Sequence, residues 1–583
     1  MQCCPQHEGV AASDARQYRL RMLKVVYGSR EIDPNKIIAV LSLKVPPSSS
    51  MDPSHPSEEA RQVLSAITTV AGPIRQQIPA MLNQFSMLQK LWPLITSWTI
   101  ALLKSFVLDG SPTTPSGVEF RELLIFGSCS VSRLLQHTSH PDSACAQTPT
   151  FIPTILTVVL HLAQTSHPAF ETMWSELSKV IECRESLLQF RSSIAYLRKQ
   201  HNIPRLITRM IQTECGNSYI DTWTLDSCMG FITHCLAYAP ELNRPLRATN
   251  IVRWITHALS RIAAKRNSIR EGDLEVACPC LIYCCDYLEQ AFGDGFSWVS
   301  QALDGRVILS MVKLLGLSNH PILLAENPKP DLEEPMGTLV NAFRPFLIYR
   351  SVLNRVVREI QSVKDAGLWK AEAEAEDKGK FWKALRDLER EAMGMKSALN
   401  EFDADERFGP LSAQCCVYRK CARKKSKSIS GRKKVKRCSG CNVTTYCSRK
   451  CQQGDWLDGH REACKVVHSE RPSRTGDSQR PSHLDIAFIR FLVRRKLPPI
   501  AIGTDRSTVA RFDYRQTPVG VSMVPVTVLM DELQASQFWG VRNELVGLAR
   551  KRVSPKSKTR EQIVHVLVPG AEPYARFVCV EEV

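Results

Sequence analysis

The chain has 583 residues, enough for three or four domains of about 150 residues each, and its 44% hydrophobic and 23% charged residues are typical of a globular protein. The formal net charge is +18, and the excess is uneven, because fifteen Lys or Arg and only three acids lie between residues 415 and 465. The first thirty residues lack an apolar stretch of signal-peptide length, which argues against secretion and predicts an intracellular protein, in the cytoplasm or the nucleus.

Residues 1–56 are interpreted as an N-terminal segment that ends in a linker rich in Pro and Ser. From residue 57 apolar residues recur at helical spacing, as in Val63, Ile67 and Val70, and similar patterns continue to residue 366 without a clear period-two alternation. The sequence therefore predicts an all-helical region over residues 57–366. An irregular armadillo-like solenoid and a compact helical domain both fit this pattern.

Two features of this region have alternative interpretations, one as a transmembrane span and the other as a metal site. The apolar window at 91–108 is interrupted by Pro93 and Lys104, and it falls short of the ~20 predominantly apolar residues of a transmembrane span, so we interpret it as a buried helix. Four cysteines at 278, 280, 284 and 285 are close enough for a metal site. One predicted helix would spread them around its circumference, which favours packing in the core.

Residues 367–410 predict a long charged helix. Its apolar residues recur at steps of four and three: Phe381, Leu385, Leu388, Ala392, Met395 and Leu399. Three such heptads are at the lower limit for a coiled coil. We therefore interpret this helix as one that packs against the helical region, with dimerisation through it as the alternative.

Residues 411–466 carry pairs of metal-ligating residue types, separated within each pair by four, two, three and three residues. The eight residues are Cys416, Cys421, Cys438, Cys441, Cys447, Cys451, His460 and Cys464. Eight such ligands suffice for two tetrahedral zinc ions, because a short turn lets both members of a pair reach one ion. Cys415 adjoins Cys416 and is the alternative first ligand.

The motifs RCSGC at 437–441, YCSRKCQ at 446–452, DW at 455–456 and GHREAC at 459–464 resemble a MYND-type zinc finger. With the helical region and the C-terminal domain, the architecture is similar to that of fungal MYND-containing proteins. The resemblance implies a cross-brace, in which two structural zinc ions are bound by interleaved pairs. One ion would be held by Cys416, Cys421, Cys447 and Cys451, and the other by Cys438, Cys441, His460 and Cys464. A RING or HIT finger accounts less well for the ligand spacing and for residues 452–456.

The MYND resemblance also implies a module that docks a peptide of a protein partner, often one that contains proline. Gln452 and Trp456 lie four residues apart on one predicted helical face. Trp456 would offer an apolar wall and Gln452 hydrogen bonds to the peptide backbone. Trp456 packed as a plug over the zinc is an equal and compatible interpretation.

A basic loop is the second candidate site. Between residues 419 and 437 there is no acid, and the loop contains Lys424, Lys425, Lys427, Arg432, Lys433, Lys434, Lys436 and Arg437. Such a run is typical of weak phosphate binding or of a nuclear localisation signal. A solvated loop without a partner is the alternative.

The last part of the chain predicts a linker at 467–481 and a small α+β domain at 482–583. Ser482 and Asp485 form a variant capping box at the start of a helix. Strands are predicted at 508–514, 521–528, 563–568 and 577–580, with a helix at 531–553 between them. The whole chain is thus predicted to be mainly α, with a small cross-brace zinc finger and a small α+β C-terminal domain.

The function expected from the sequence is that of a non-enzymatic adaptor. The chain lacks a Walker A pattern, a G-x-S-x-G elbow, an H-E-x-x-H pair and the cofactor motif of SET-domain methyltransferases. The alternative is a nuclear regulator of transcription that associates with nucleic acid through residues 419–437. The oligomeric state and the identity of the partner are not specified by the sequence.

Overall fold

The computed structural model describes most of the helical region and parts of the finger and of the C-terminal domain. The described residues are 39–40, 51–71, 82–136, 141–165, 167, 169–181, 183–200, 202–217, 220–265, 269, 271–319, 331–369, 379–405, 416, 418, 420–421, 436–438, 445–461, 464, 482–496, 508–516, 518–525, 527–529, 561–569 and 576–582. The predicted linker at 467–481 and the predicted helix at 531–553 lie outside them, as does most of the segment 1–50.

The described chain is mainly helical, which confirms the predicted fold class. The α-helices are α1 (Glu58–Ala71), α2 (Leu82–Leu103), α3 (Pro115–Gln136), α4 (Pro141–Gln147), α5 (Phe151–Gln164), α6 (Phe170–Ile181), α7 (Arg184–Gln200), α8 (Ile203–Gly216), α9 (Thr222–Tyr238), α10 (Asn243–Ala248), α11 (Ile251–Ala264), α12 (Glu271–Gly293), α13 (Phe296–Asp304), α14 (Val307–Leu315), α15 (Glu333–Ala342), α16 (Arg350–Asp365), α17 (Lys380–Ala404), α18 (Arg449–Asp455) and α19 (His483–Lys496). The described residues of 57–366 contain no strand, as the sequence predicted.

The chain divides into two compact units. The first comprises residues 1–254 and 269–283, and the second comprises residues 255–268 and 284–583. The boundary between them passes through α11 and α12. Each unit has its own buried apolar core.

In the first unit the helices stack in two rows. Helices α1, α3, α6 and α9 contact one another in that order, and α2, α5 and α8 form the second row. Within the first row, Trp174 of α6 packs edge-on against Phe231 of α9, with ring centroids 4.8 Å apart. The rows are joined where α2 contacts α3, α5 contacts α6 and α8 contacts α9. Stacked rows fit a helical solenoid, and the armadillo-like form stays a prediction.

The apolar stretch Leu91–Leu108 covers the end of α2 and a π-helical turn at Lys104–Leu108. By length and composition alone it could cross a membrane, but 67% of it is buried inside the protein. Trp98 within it is fully buried. This burial fits the interpretation as a core helix. Cys278, Cys280, Cys284 and Cys285 all lie on α12, where they are at most 2% exposed.

In the second unit the charged helix α17 packs against helices of its own chain. Its neighbours are α15, α16 and α19, and Phe381, Leu385, Leu388 and Leu399 of the seam are fully buried. Met395, also predicted in the seam, is only half-buried. The interpretation as a packed helix is confirmed for residues 380–404.

The C-terminal domain combines α19 with a four-stranded sheet. Strands β1 (Lys436–Arg437) and β2 (Thr445–Tyr446) precede this domain in the chain. Its own strands are β3 (Thr508–Asp513), β4 (Gly520–Pro525), β5 (Glu561–Leu567) and β6 (Arg576–Glu582), in the order β4-β3-β5-β6. β3 is parallel to β5, and the other neighbours are antiparallel. The domain is tied to α16 and the residue before it, since Tyr349 Oη donates to the Pro569 carbonyl (2.7 Å) and Ser351 N–H donates to Asp485 (3.1 Å).

The predicted capping box at the start of α19 is confirmed. Ser482 Oγ accepts a hydrogen bond from Asp485 N–H (3.1 Å), and the Asp485 carboxylate accepts one from Ser482 N–H (3.0 Å). These reciprocal bonds satisfy backbone donors that a helix N-terminus leaves unpaired. Asp485 is 2% exposed and also accepts from Ser351 N–H, so the same carboxylate fixes the helix start and its position on α16.

Candidate metal centre

A short hairpin and a short helix place the finger's ligands. The hairpin pairs β1 (Lys436–Arg437) with β2 (Thr445–Tyr446) in antiparallel register. Each strand is followed at once by a cysteine, Cys438 after β1 and Cys447 after β2. α18 begins two residues after Cys447, where Ser448 Oγ caps it by accepting from Cys451 N–H (3.2 Å). The hairpin and the cap together determine where three ligands lie.

The first cluster consists of four thiols. The Sγ atoms of Cys416, Cys421, Cys447 and Cys451 all lie within 4.8 Å of one another. Cys447 Sγ is 3.6 Å from Cys421 Sγ and 3.6 Å from Cys451 Sγ. Four sulfurs at about 2.3 Å from one zinc ion form a tetrahedron with edges of about 3.8 Å. The separations therefore fit a zinc tetrahedron and far exceed the ~2.05 Å of a disulfide bond.

The second cluster brings together Cys438, His460 and Cys464. Cys438 Sγ lies 3.8 Å from Cys464 Sγ and 3.4 Å from His460 Nε2. These distances again match the edges of a tetrahedron around zinc with sulfur and imidazole ligands. The predicted fourth ligand, Cys441, lies outside the described residues, as does the alternative first ligand Cys415.

The two clusters interleave along the chain. The first uses residues on both sides of Cys438, and the second uses residues on both sides of Cys447 and Cys451. This arrangement is the cross-brace that the resemblance implies. Cys416, Cys421, Cys438, Cys464 and Tyr446 form the buried core of the segment. Since this core is mostly ligands, metal binding is expected to supply much of the folding free energy.

The chemistry of the first cluster favours a bound cation. Burial, together with hydrogen bonds to the neighbouring thiols, raises the pKa of the Cys447 thiol to about 12. Burial also raises the pKa of the Cys416 thiol. Four adjacent thiols cannot all ionise without a compensating charge, whereas a zinc ion binds the thiolate forms. With four thiolates, a tetrahedral ion there has no open position for substrate or water.

A carboxylate lies behind the imidazole ring of His460. Asp455 Oδ2 lies 4.0 Å from His460 Nδ1 and accepts a hydrogen bond from Tyr446 Oη (2.7 Å). Tyr446 is 1% exposed, and its ring packs edge-on against His460. At 4.0 Å the contact is an attraction between charges and not a hydrogen bond. Negative charge on this side of the ring favours the proton on Nδ1, which leaves the Nε2 lone pair for the metal. Sequence reasoning missed both residues, although the DW and YC motifs contain them.

Replacement of Asp455 by Asn is expected to lower the zinc affinity of the second cluster by about 10- to 100-fold, because the amide keeps the shape but loses the charge behind His460. Competition with a chromogenic chelator measures this change. Asp458→Asn is the matched control, since Asp458 is exposed and pairs with Lys420 at 3.0 Å. Equal zinc retention by the two variants would contradict this electrostatic role of Asp455.

Close packing joins the first ligand pair to α18. A Cβ added at Gly454 would lie 2.6 Å from the Tyr418 ring, so only glycine permits this approach. Tyr418 lies between Cys416 and Cys421, and its carbonyl accepts from Cys421 N–H (3.1 Å). The loop that carries the first pair is therefore positioned by contact with α18 as well as by metal ligands.

The predicted peptide-binding residues lie in the middle of α18 and directly after its last residue. Gln452 is half-buried, and Trp456 is the first residue of a π-helical turn, Trp456–His460, that continues the helix. The Trp456 ring packs edge-on against His460, with centroids 5.9 Å apart, yet 37% of the residue is exposed. Both interpretations of Trp456 are thus compatible with its position. Its neighbour Leu457, which sequence reasoning missed, is 85% exposed.

The structure corrects the limits of the basic loop. Lys436 and Arg437, which the sequence placed in the loop, belong to β1 and pair with Tyr446 and Thr445. The hairpin needs them to position Cys438. The other six predicted loop residues lie outside the described part of the chain: Lys424, Lys425, Lys427, Arg432, Lys433 and Lys434.

Comparison with known proteins gives matches to the segment that carries the two ligand clusters. The family model described as MYND finger matches residues 416–464. A stretch of 52 residues is 44% identical to histone-lysine N-methyltransferase SMYD3 of Homo sapiens and 42% identical to that of Mus musculus, covering 9% of this chain and 12% of each relative. A stretch of 42 residues is 45% identical to ubiquitin carboxyl-terminal hydrolase 19 of Arabidopsis thaliana, covering 7% of this chain and 6% of that relative.

The chain therefore spans about an eighth or less of the curated relatives that it matches, and the likeness is confined to the finger. The match, the two ligand clusters and their interleaving agree with one another. Residues 416–464 are a MYND finger, a zinc-binding module of the kind that generally mediates protein–protein interactions.

Proposed function

We propose that this protein is a non-enzymatic intracellular adaptor whose MYND finger docks a short, proline-containing peptide of a partner protein. The exposed apolar pair Trp456 and Leu457 carries the proposal. Leu457 has the largest exposed fraction among the large apolar residues that the structure describes. An exposed Trp beside an exposed Leu on a rigid support provides the apolar contacts that a short peptide needs.

The finger supplies that rigid support. Trp456 rests on His460 and continues α18, whose start is capped by Ser448 and whose last turn contacts Tyr418. Two structural zinc ions, one in each cluster, would fix these contacts. Gln452, one turn before Trp456, would hydrogen-bond to the peptide backbone.

The experiment is a fluorescence-anisotropy screen of proline-containing peptides against the full-length protein, followed by variants. We expect Trp456→Ala to lower the affinity for the tightest-binding peptide by about tenfold or more, because truncation of a central aromatic anchor commonly reduces affinity by that factor. Met393→Ala is the matched control, as Met393 is 54% exposed and lies on α17. Unchanged peptide affinity in Trp456→Ala would overturn peptide docking by this residue.

Zinc content separates the two interpretations of Trp456. If Trp456→Ala loses peptide affinity but keeps its full zinc content, Trp456 contacts the peptide. If the variant loses both peptide affinity and zinc, Trp456 packs over the zinc site. Salt dependence addresses the alternative function through residues 419–437. Phosphate binding by a basic loop should weaken steeply between 50 and 200 mM salt, while binding through Trp456 and Leu457 should change little.

A further inference from the structure

A second interaction surface lies on α7, in the first compact unit. The inner face of this helix belongs to the core, where Phe190, Ile194 and Leu197 are at most 4% exposed. The outer stripe runs through Arg184, Leu188, Arg191, Ala195 and Lys199, at steps of four, three, four and four residues. Such steps place all five on one side of a helix.

The stripe combines exposed apolar residues with cations. Leu188 is 52% exposed, and Tyr196, at the edge of the stripe, is 61% exposed. Arg184, Arg191 and Lys199 are exposed, and none of them forms an ion pair with a residue that the structure describes. Arg198 on the flank differs, since it pairs with Glu241 at 2.8 Å. The neighbouring acid, Glu185, is half-buried.

We propose that the outer stripe of α7 docks an acidic amphipathic helix of a partner protein. The cations are seven and eight residues apart, which is two helical turns, or about 10 and 12 Å along the axis. A helix lying alongside α7 would present carboxylates at the same two-turn interval. Leu188 and Tyr196 lie between the cations, where an apolar residue of the partner would cover them.

The same features distinguish a protein from other anionic partners. A nucleic-acid backbone offers phosphates to the cations but no apolar group to cover Leu188. A membrane-binding helix inserts a broad apolar face, whereas the broad apolar face of α7 is already buried in the protein core. The proposal concerns a surface separate from the finger and does not depend on peptide docking there.

The test uses the full-length protein and a labelled synthetic helix with Glu at three positions, seven and eight residues apart, and Leu between them. A second helix of the same design carries Lys in place of Glu. Fluorescence anisotropy should show saturable binding of the Glu helix and no binding of the Lys helix. Binding of neither helix would overturn the proposal.

Charge reversal then identifies the surface. The triple variant Arg184→Glu, Arg191→Glu and Lys199→Glu should lose at least about tenfold in affinity for the Glu helix and gain affinity for the Lys helix. The matched control, Arg205→Glu, Arg209→Glu and Arg244→Glu, changes the net charge equally at exposed positions on α8 and α10. It should change the affinity by less than about twofold. Circular dichroism checks that both triple variants fold.

Two further results would overturn the proposal. If both triple variants lose the same affinity for the Glu helix, binding depends on the net charge of the protein and not on the stripe of α7. The protein should also be tested with anionic lipid vesicles and with duplex DNA. If either binds more tightly than the Glu helix and with the same dependence on the α7 cations, the partner is not a protein helix. Leu188→Ala should weaken binding of the Glu helix without changing its salt dependence.

Discussion

Replacement of Cys447 by Ser is expected to remove the zinc ion of the first cluster and to unfold the finger. Cys447 Sγ has close contacts with two other ligand sulfurs, and no residue of the first cluster can be lost without opening the tetrahedron. Structural zinc contributes on the order of 10 kcal/mol to the folding of small zinc domains, which is more than such a segment gains from its own core. The second cluster should fail as well, because the two share the hairpin and α18.

The measurement is zinc content by mass spectrometry of the full-length protein, combined with hydrogen exchange of residues 416–464. We expect two zinc ions per chain before the substitution and none or one after it, with rapid exchange across the finger. Cys183→Ser is the matched control, since Cys183 is equally half-buried but lies just before α7 and belongs to neither cluster. A Cys447→Ser protein that retained two ions and slow exchange would contradict the cross-brace.

The sequence was most informative where chemistry restricts the choice of residue. Ligand spacing identified the eight candidate ligands. The MYND resemblance then implied that Cys416, Cys421, Cys447 and Cys451 form one set, and the structure brings these four together. The capping box of Ser482 and Asp485 was predictable for a related reason, because both of its hydrogen bonds are local. Local rules of this kind need no knowledge of the rest of the fold.

Contacts between distant segments could not be predicted in the same way. Tyr446 and Asp455 act together only because the hairpin and α18 place them side by side. The approach of Gly454 to the Tyr418 ring depends on two segments more than thirty residues apart. Lys436 and Arg437 read as part of a charged run, yet pairing with β2 places them in a strand. In each case the role of the residue depends on contacts that form only in the folded protein, and composition does not specify those contacts.

Replacement of Phe381 by Ala is expected to destabilise the packing of α17 by about 3–5 kcal/mol, the usual cost of removing a buried aromatic side chain. Phe381 is fully buried, and its backbone lies close to Gly337 of α15, so the surrounding helices have little room to collapse into the cavity. Hydrogen exchange of α15–α17 should become at least about 100-fold faster, since each 1.4 kcal/mol is a factor of ten.

The same substitution tests whether the heptad seam serves an intramolecular or an intermolecular contact. The seam residues Phe381, Leu385 and Leu388 are buried against helices of their own chain, so their contribution to stability should not depend on protein concentration. A dimeric coiled coil would instead become more stable as the concentration rises. Met393→Ala, at an exposed position of α17, should change stability by less than about 0.5 kcal/mol. A concentration-dependent effect of Phe381→Ala would mean that the seam joins two chains, and the packing of α17 on α15 and α16 would then be wrong.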